Sequence, residues 1–359
     1  MDHSISTLFT LTHQALRQPP KRHSNFTIPA KTSSMRQMTI TPVSSPLKAA
    51  FAISRGAKTT AETVVVEIRD GDHVGRGECV PYARYKESRV SVVAQLSGIE
   101  PDIQDGLSRQ DLQRRLPAGA AKCAADCALW DLESKLTGTP VWQLAGLPEP
   151  KSLPTTMTIS LDDADAMAQA AKATNAKILK LKLGGPDDLV RVEAVRRARP
   201  DAKLIVDGNE GIDPNEFPNL AAKAADLGVV LIEQPFPVGQ DSALTKRPGH
   251  IAICADESMH TRGDIQGLAK KYDAINIKLD KAGGLTEGLR IMKEAKRCGM
   301  ATMVGCMVAG SLSMAPAILL GQVADLIDLD GPLWLSKDVP HKLRYTDGIV
   351  APPSRELWG

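Results

Sequence analysis

The residues Lys180 and Lys182 alternate with Leu179, Leu181 and Leu183 in the run LKLKLGG. Side chains two apart on a strand share a face, so the leucines form one wall and the two amines point together from the other. On a half-exposed sheet that face would meet water and the amines would be solvated surface charges. Inside a closed parallel barrel they would meet an interior. Three acids make the second case the stronger one: Asp207, Glu233 and Asp256 each end an apolar run, in KLIVDGN, VVLIEQP and IAICADES. Their spacing is roughly 25 residues, one strand and helix each. Taken singly, each acid reads best as a helix cap or a loop charge. Three in register on neighbouring strands, ~4.8 Å apart, can converge, and converging carboxylates need a cation. Hard oxygen donors with room for water suit Mg2+, one ion per subunit.

Lys278 closes another run, AINIKLD, on the strand beyond Asp256. Amines therefore flank the acids on both sides. A lysine acts as a general base only when neutral, and a nearby divalent cation or second ammonium lowers its pKa. The sequence thus nominates Lys182 and Lys278 as acid/base groups, with Lys180 adding positive charge beside Lys182. Lys281 is assigned to the following loop. Asn209 and Glu257 sit beside the first and third acids, either to orient them or simply to begin loops. In LIDLDGP, Asp328 and Asp330 share a face at the end of the last run. They would bind a cationic substrate group or cap the turn at Gly331-Pro332.

The elements that must hold these groups are legible as a rhythm. From Leu153 onward, eight apolar runs alternate with helical stretches, which predicts a parallel sheet closed as a barrel, with the polar run ends gathered at one rim. An open doubly wound sheet is the competitor, but no G-x-G-x-x-G follows a first strand. Before the barrel, MTITPVSSPL, KAAFAISRG, TVVVEIRD and VGRGECVP read as separate strands of a meander. AAKCAADCALWDLESKLTG then reads as a helix ended by Gly138, with Cys123 and Cys127 stacked as small buried residues. The predicted organisation is an extension over 1–38, a small α+β domain over 39–150, the barrel over 151–331, and a tail over 332–359 that returns to the small domain with a strand pair about Thr346-Asp347-Gly348.

Bulk properties agree with a soluble globular protein. The 359 residues are 43% apolar and 24% charged, with a formal net charge of +2, which supports neither nucleic-acid nor membrane-surface binding. No apolar run has spanning length. The six cysteines form no C-x-x-C pair, so a reducing, cytoplasmic setting is expected. The acid-poor leader, with Asp2 as its lone acid, reads as a disordered tail or a segment upstream of the true start rather than a transit peptide.

In combination, RGECVP, AADCALWDLESKL, the K-x-K pair, DGNEG, IEQP, ADES, NIKLDKAGG and IDLDGP resemble the enolase superfamily in its muconate-lactonizing branch, and within it the dipeptide epimerases. A lysine base working with Mg2+ is a known device of that superfamily. The resemblance implies a (β/α)7β modified TIM barrel with an α+β capping domain. It implies Mg2+ on Asp207, Glu233 and Asp256, with Lys182 and Lys278 on opposite faces of the substrate α-carbon and Lys180 as electrostatic helper. Asp328 and Asp330 match the pair that receives a dipeptide's free amino group, and Arg55 a loop arginine that meets a glutamate side chain. The implied reaction is epimerisation of a dipeptide's C-terminal residue, with L-Ala-D/L-Glu as substrate, through a metal-stabilised enediolate in murein peptide recycling. N-acylamino acid racemase or o-succinylbenzoate synthase activity is the alternative, and a catalytically silent barrel a remote one. Homo-oligomers are common in the family. Val308, Ala309 and Gly310 replace a glutamate and serine often found after GCM, so the side-chain pocket there can differ.

Overall fold

A computed structural model describes residues 35–245 and 251–359; the extension expected before residue 35 lies outside them. Three antiparallel strands come first: β1 (Gln37–Ile53), β2 (Gly56–Asp70) and β3 (His73–Cys79), in that order across the sheet. β1 joins two runs that the sequence suggested were separate. Its pairing with β2 skips between Pro46 and Phe51, so the break expected after Pro46 is absorbed by an irregularity instead of ending the strand. Ile53 pairs with Gly56, which leaves Ser54 and Arg55 as a two-residue turn at the hairpin tip. The helix Ala120–Thr137 lies on this sheet and ends at Gly138 in the left-handed conformation (φ 70°). Cys123 and Cys127 are buried in it as expected. Its close approach requires Gly75 and Gly77, where any Cβ would collide with the helix backbone at Ala128 and Ala124.

After a short strand β4 (Leu153–Pro154) the barrel follows as eight parallel strands in sequential order. They are β5 (Met157–Ile159), β6 (Ile178–Lys182), β7 (Lys203–Asp207), β8 (Val229–Glu233), β9 (Ala252–Ala255), β10 (Ala274–Lys278), β11 (Ala301–Gly305) and β12 (Leu326–Asp328). The seam between first and last is bridged where Thr156 N–H donates to Ile327 O at 3.1 Å. Ile205, Leu231, Cys254, Ala274 and Met303, one from each of β7 to β11, fill the interior. Leu179, Leu181, Leu183, Leu204 and Val206 belong to the separate, larger core shared with the surrounding helices. The period-two alternation thereby forces Lys180 and Lys182 inward, in register with Ile205 and Asp207.

The terminal hairpin differs from expectation. β13 (Tyr345–Thr346) and β14 (Ile349–Val350) turn at Asp347-Gly348 and pair with β4, not with the small-domain sheet. The tail itself returns to the small-domain sheet at two other places: Leu335 bridges Leu47 of β1 and Ser336 N donates to Pro46 O at 2.9 Å, and at the chain end Trp358 Nε1 donates to Arg76 O and Cys127 O. No helix among the described residues is long and apolar enough to cross a membrane.

Candidate active site

Parallel strands all end at one rim, so the residues closing β6, β7, β8 and β10 converge there by topology. Register aligns Lys182 with Asp207 and Asp207 with Glu233. All of these groups are buried, and each carboxylate meets an ammonium. Lys182 Nζ lies 2.6 Å from Asp207 Oδ2. Lys180 Nζ touches Asp328 and Glu233 at 2.7 Å each and Asp207 at 3.1 Å. Lys278 Nζ lies 2.7 Å from Asp256 Oδ2.

Lys281, assigned to a loop from sequence, is a correction. It is buried, with its Nζ 2.6 Å from Asp256 Oδ1 and bonded to the carbonyls of Asp256 and Asn276. A short helix, Leu279–Ala282, begins directly after β10, and the turn of that helix swings residue 281 back over the strand end.

Two further residues were missed. Asn276 shares the inward face with Lys278 and donates from Nδ2 to Glu233 Oε1 at 2.7 Å; the alternation in NIK was the available signal. Gln234, in the left-handed region (φ 32°), accepts at Oε1 from Asp256 N and Ser258 N. It thereby clamps the ends of β8 and β9 together.

Asn209 N donates to Asp207 Oδ1 at 2.9 Å, and its side chain reaches Glu257 at 3.5 Å. Arg55 descends from the hairpin tip, donating to Glu257 Oε1 at 2.7 Å, Asn209 O at 2.6 Å and Glu210 Oε2 at 3.1 Å. Arg84 grips the same Glu210 through two bonds. On the opposite wall, Asp330 accepts from Thr158 N at 2.7 Å and meets no cation within ion-pair distance among the described residues. Asp328 is already taken by Lys180 and the Thr156 hydroxyl. The two members of the acidic pair are therefore not equivalent. A cavity of about 550 Å3 is lined by both aspartates, Lys180, Lys182, Lys278 and Arg55. Met307 and Val308 border it as well, at the point where the chain departs from the family pattern.

Mutual charge sets the titration of the site. Burial opposes the charged form of Lys180, but Asp328, Glu233 and Asp207 outweigh it and hold its pKa well above the ordinary value. Burial likewise opposes charge on Lys278, and Asp256 overcomes it. Contact with Asp256 thus reverses the downward shift expected for Lys278 from neighbouring cations alone. Burial would raise Asp207 and Asp256 too, yet the adjoining lysines hold both below the carboxylate range. Glu233 goes the other way, to about 7, through burial and the charge of Asp207. Burial, then the charge of Asp328, pushes Asp330 up to about 6.

Do these residues suit a metal? Asp207, Glu233 and Asp256 offer hard oxygens from three successive strands, with Glu233 Oε2 facing the Lys180 ammonium at 2.7 Å. Among the described residues, however, no three His, Cys, Asp or Glu side chains stand close enough to share one ion. The expected convergence on one point is not met: Asp207 and Glu233 share the Lys180 ammonium, while Asp256 is held by Lys278 and Lys281. The donor chemistry fits a hard divalent cation that displaces those contacts.

Both domains match family models: residues 35–146 the mandelate racemase / muconate lactonizing enzyme N-terminal domain, and residues 162–356 the enolase C-terminal domain-like fold. The chain belongs to the enolase superfamily, and its named relatives make it an isomerase. It is 42% identical to the L-Ala-D/L-Glu epimerase of Escherichia coli (strain K12), over 88% of this chain and 99% of that one. It is 40% identical to an N-acetyl-D-glutamate racemase of Pseudoalteromonas sp, over 82% and 95% respectively. An enolase family member from Agrobacterium tumefaciens with homology to dipeptide epimerases, solved with sodium and L-Ala-L-Glu, superposes with a TM-score of 0.89 at 45% identity. That match covers 90% of this chain and all of the other.

Proposed function

We propose that the protein is a Mg2+-dependent dipeptide epimerase that inverts the α-carbon of the C-terminal residue of L-Ala-D/L-Glu, serving the recycling of murein peptides. The observation that carries this is the pair Lys182 and Lys278, which line one cavity from β6 and β10, on either side of the strands bearing the acids. Inversion needs a proton removed from one face of a carbon and another delivered to the opposite face. Two amines on opposed strands supply that geometry.

Mg2+ on Asp207, Glu233 and Asp256 would lend positive charge to the substrate carboxylate, acidifying the α-proton and steadying the charge left when it goes. The chain's own groups do the rest. One lysine, as the neutral amine, takes the α-proton at its Nζ while the other, as an ammonium, gives one up at its own. Reversing direction exchanges the two roles. Lys180, fully buried against three acids, keeps the interior near neutrality as charge shifts toward the carboxylate. Asp330, free of a cation among the described residues, is suited to a substrate ammonium.

Incubating L-Ala-L-Glu with protein and Mg2+ in D2O tests the reading by mass and chirality. The expected product is L-Ala-D-Glu carrying deuterium at the α-carbon, and absence of exchange in any dipeptide refutes it. The relative that racemises N-acetyl-D-glutamate supports a second reading, acyl amino acid racemisation. That reading leaves Asp330 with no ammonium to bind, and N-acetylglutamate run beside the dipeptide distinguishes the two.

A further inference from the structure

The cap contributes two cations to the cavity wall, Arg55 and Lys58, and they differ in what they face. Arg55 is spoken for. Glu257 and Glu210 lie 2.7 and 3.1 Å from its guanidinium, and Glu210 is shared with Arg84 at 2.5 Å. Two guanidinium groups and two carboxylates there cancel in charge. An incoming carboxylate at Arg55 would also sit beside Glu257, itself buried and acidic. Lys58 has no such company. Its Nζ stands 4.5 Å from the centroid of the Tyr82 ring, and no carboxylate lies within ion-pair distance of it among the described residues. An aromatic face holds an ammonium in position without using its N–H donors on an acceptor. Tyr82 in turn packs on Tyr85, with ring centroids 5.5 Å apart, so the platform is braced. The same cavity therefore offers one unpaired anion, Asp330, and one unpaired cation, Lys58. That is the complement of a ligand with a free amino group and a remote carboxylate.

The geometry points to Lys58, not Arg55, as the residue that binds the acidic side chain of the substrate's second residue and so sets the preference for it. Arg55 then acts as a positioning residue, tying the hairpin tip to the loop after β7 through Asn209 and Glu210. This assignment rests on the dipeptide reading above, and a binding measurement separates the two.

Calorimetric titration of the full chain with Mg2+ compares L-Ala-L-Glu with L-Ala-L-Gln, for wild type, K58M and R55M. Wild type is expected to favour the glutamate dipeptide by about tenfold, the scale of one hydrogen bond to a charged group. K58M removes that ratio, R55M keeps it while lowering both affinities together, and K58E turns the preference toward L-Ala-L-Lys. Persistence of the ratio in K58M, or its loss in R55M alone, overturns the assignment. If wild type binds the two dipeptides equally, Lys58 has no such role even where epimerisation is observed. If the ratio exists and K58M abolishes it while no α-proton exchanges, Lys58 stands and the catalytic reading fails.

Discussion

Replacing Lys180 by methionine removes one ammonium from three carboxylates at once, at nearly constant volume. Asp207 retains Lys182 at 2.6 Å, but Glu233 keeps only the Asn276 amide and Asp328 only the Thr156 hydroxyl. Two acids are then buried without a cation. Breaking a buried pair by deleting one partner costs about 3–5 kcal/mol, and K180M is expected to lose that much at pH 8 with chelator present. The sign with pH follows from both sides of the contact. The raised pKa of Lys180 means its contribution is complete below the unfolded value of ~10.4 and is lost only as pH rises through the folded one. It is therefore whole at pH 5 and at pH 8. In the variant the stranded acids escape by taking protons, so its deficit shrinks as pH falls toward 5. Urea denaturation of both proteins at pH 5 and 8 reads the gap. Equal midpoints at pH 8, or a gap that widens on acidification, would show that this ammonium does not hold the acids.

Three other expectations concern separate parts of the molecule. Burial, with the charges of Glu87 and Glu78, pushes Asp280 up to about 7, while its carboxylate accepts from Val80 N. A carboxyl raised on folding loses stability as pH climbs from ~4 to its folded value, so D280N should match wild type at pH 4 and exceed it by on the order of 2–4 kcal/mol at pH 8. Denaturation midpoints across that range check it, and a constant offset would count against it. Because Asp330 sits near pH 6, affinity for dipeptides with a free amino end should fall as pH drops through 6, and D330N should abolish this dependence; titration calorimetry reads both. E210Q should raise KM about fivefold with a smaller effect on kcat, since these partly exposed contacts fasten the hairpin tip and the Arg84 turn. Steady-state kinetics on L-Ala-L-Glu would detect the opposite split.

How much of this the sequence carries depends on the kind of periodicity involved. Leucine and lysine alternate in LKLKLGG because one face meets helices and the other the interior, so the inward lysines and the barrel could be read together. The run-end acids follow from the same rule. What escaped was set by irregular backbone. Lys281 returns to the site only because a helix starts with no intervening loop, and nothing in its spacing from Lys278 fixes that. β1 continues past Pro42 in unbroken register and past Pro46 because the cap sheet tolerates a break in pairing between Pro46 and Phe51. The inequality of Asp328 and Asp330 arises from Lys180 on a strand across the seam, a contact 148 residues away in sequence. Glu210 gathers two arginines through a left-handed backbone (φ 67°) that side-chain chemistry alone does not predict.

The two-sided proton transfer is tested most directly by hydrogen–deuterium exchange at the α-carbon in single-lysine variants. K182A and K278A would each be incubated in D2O with L-Ala-L-Glu and, separately, L-Ala-D-Glu, and followed by proton NMR. Each variant keeps one base, so each should exchange the α-proton of one isomer only, with opposite choices, and neither should interconvert the isomers. A variant that still epimerises at the wild-type rate, or that exchanges both isomers alike, would contradict the assignment of one lysine to each face.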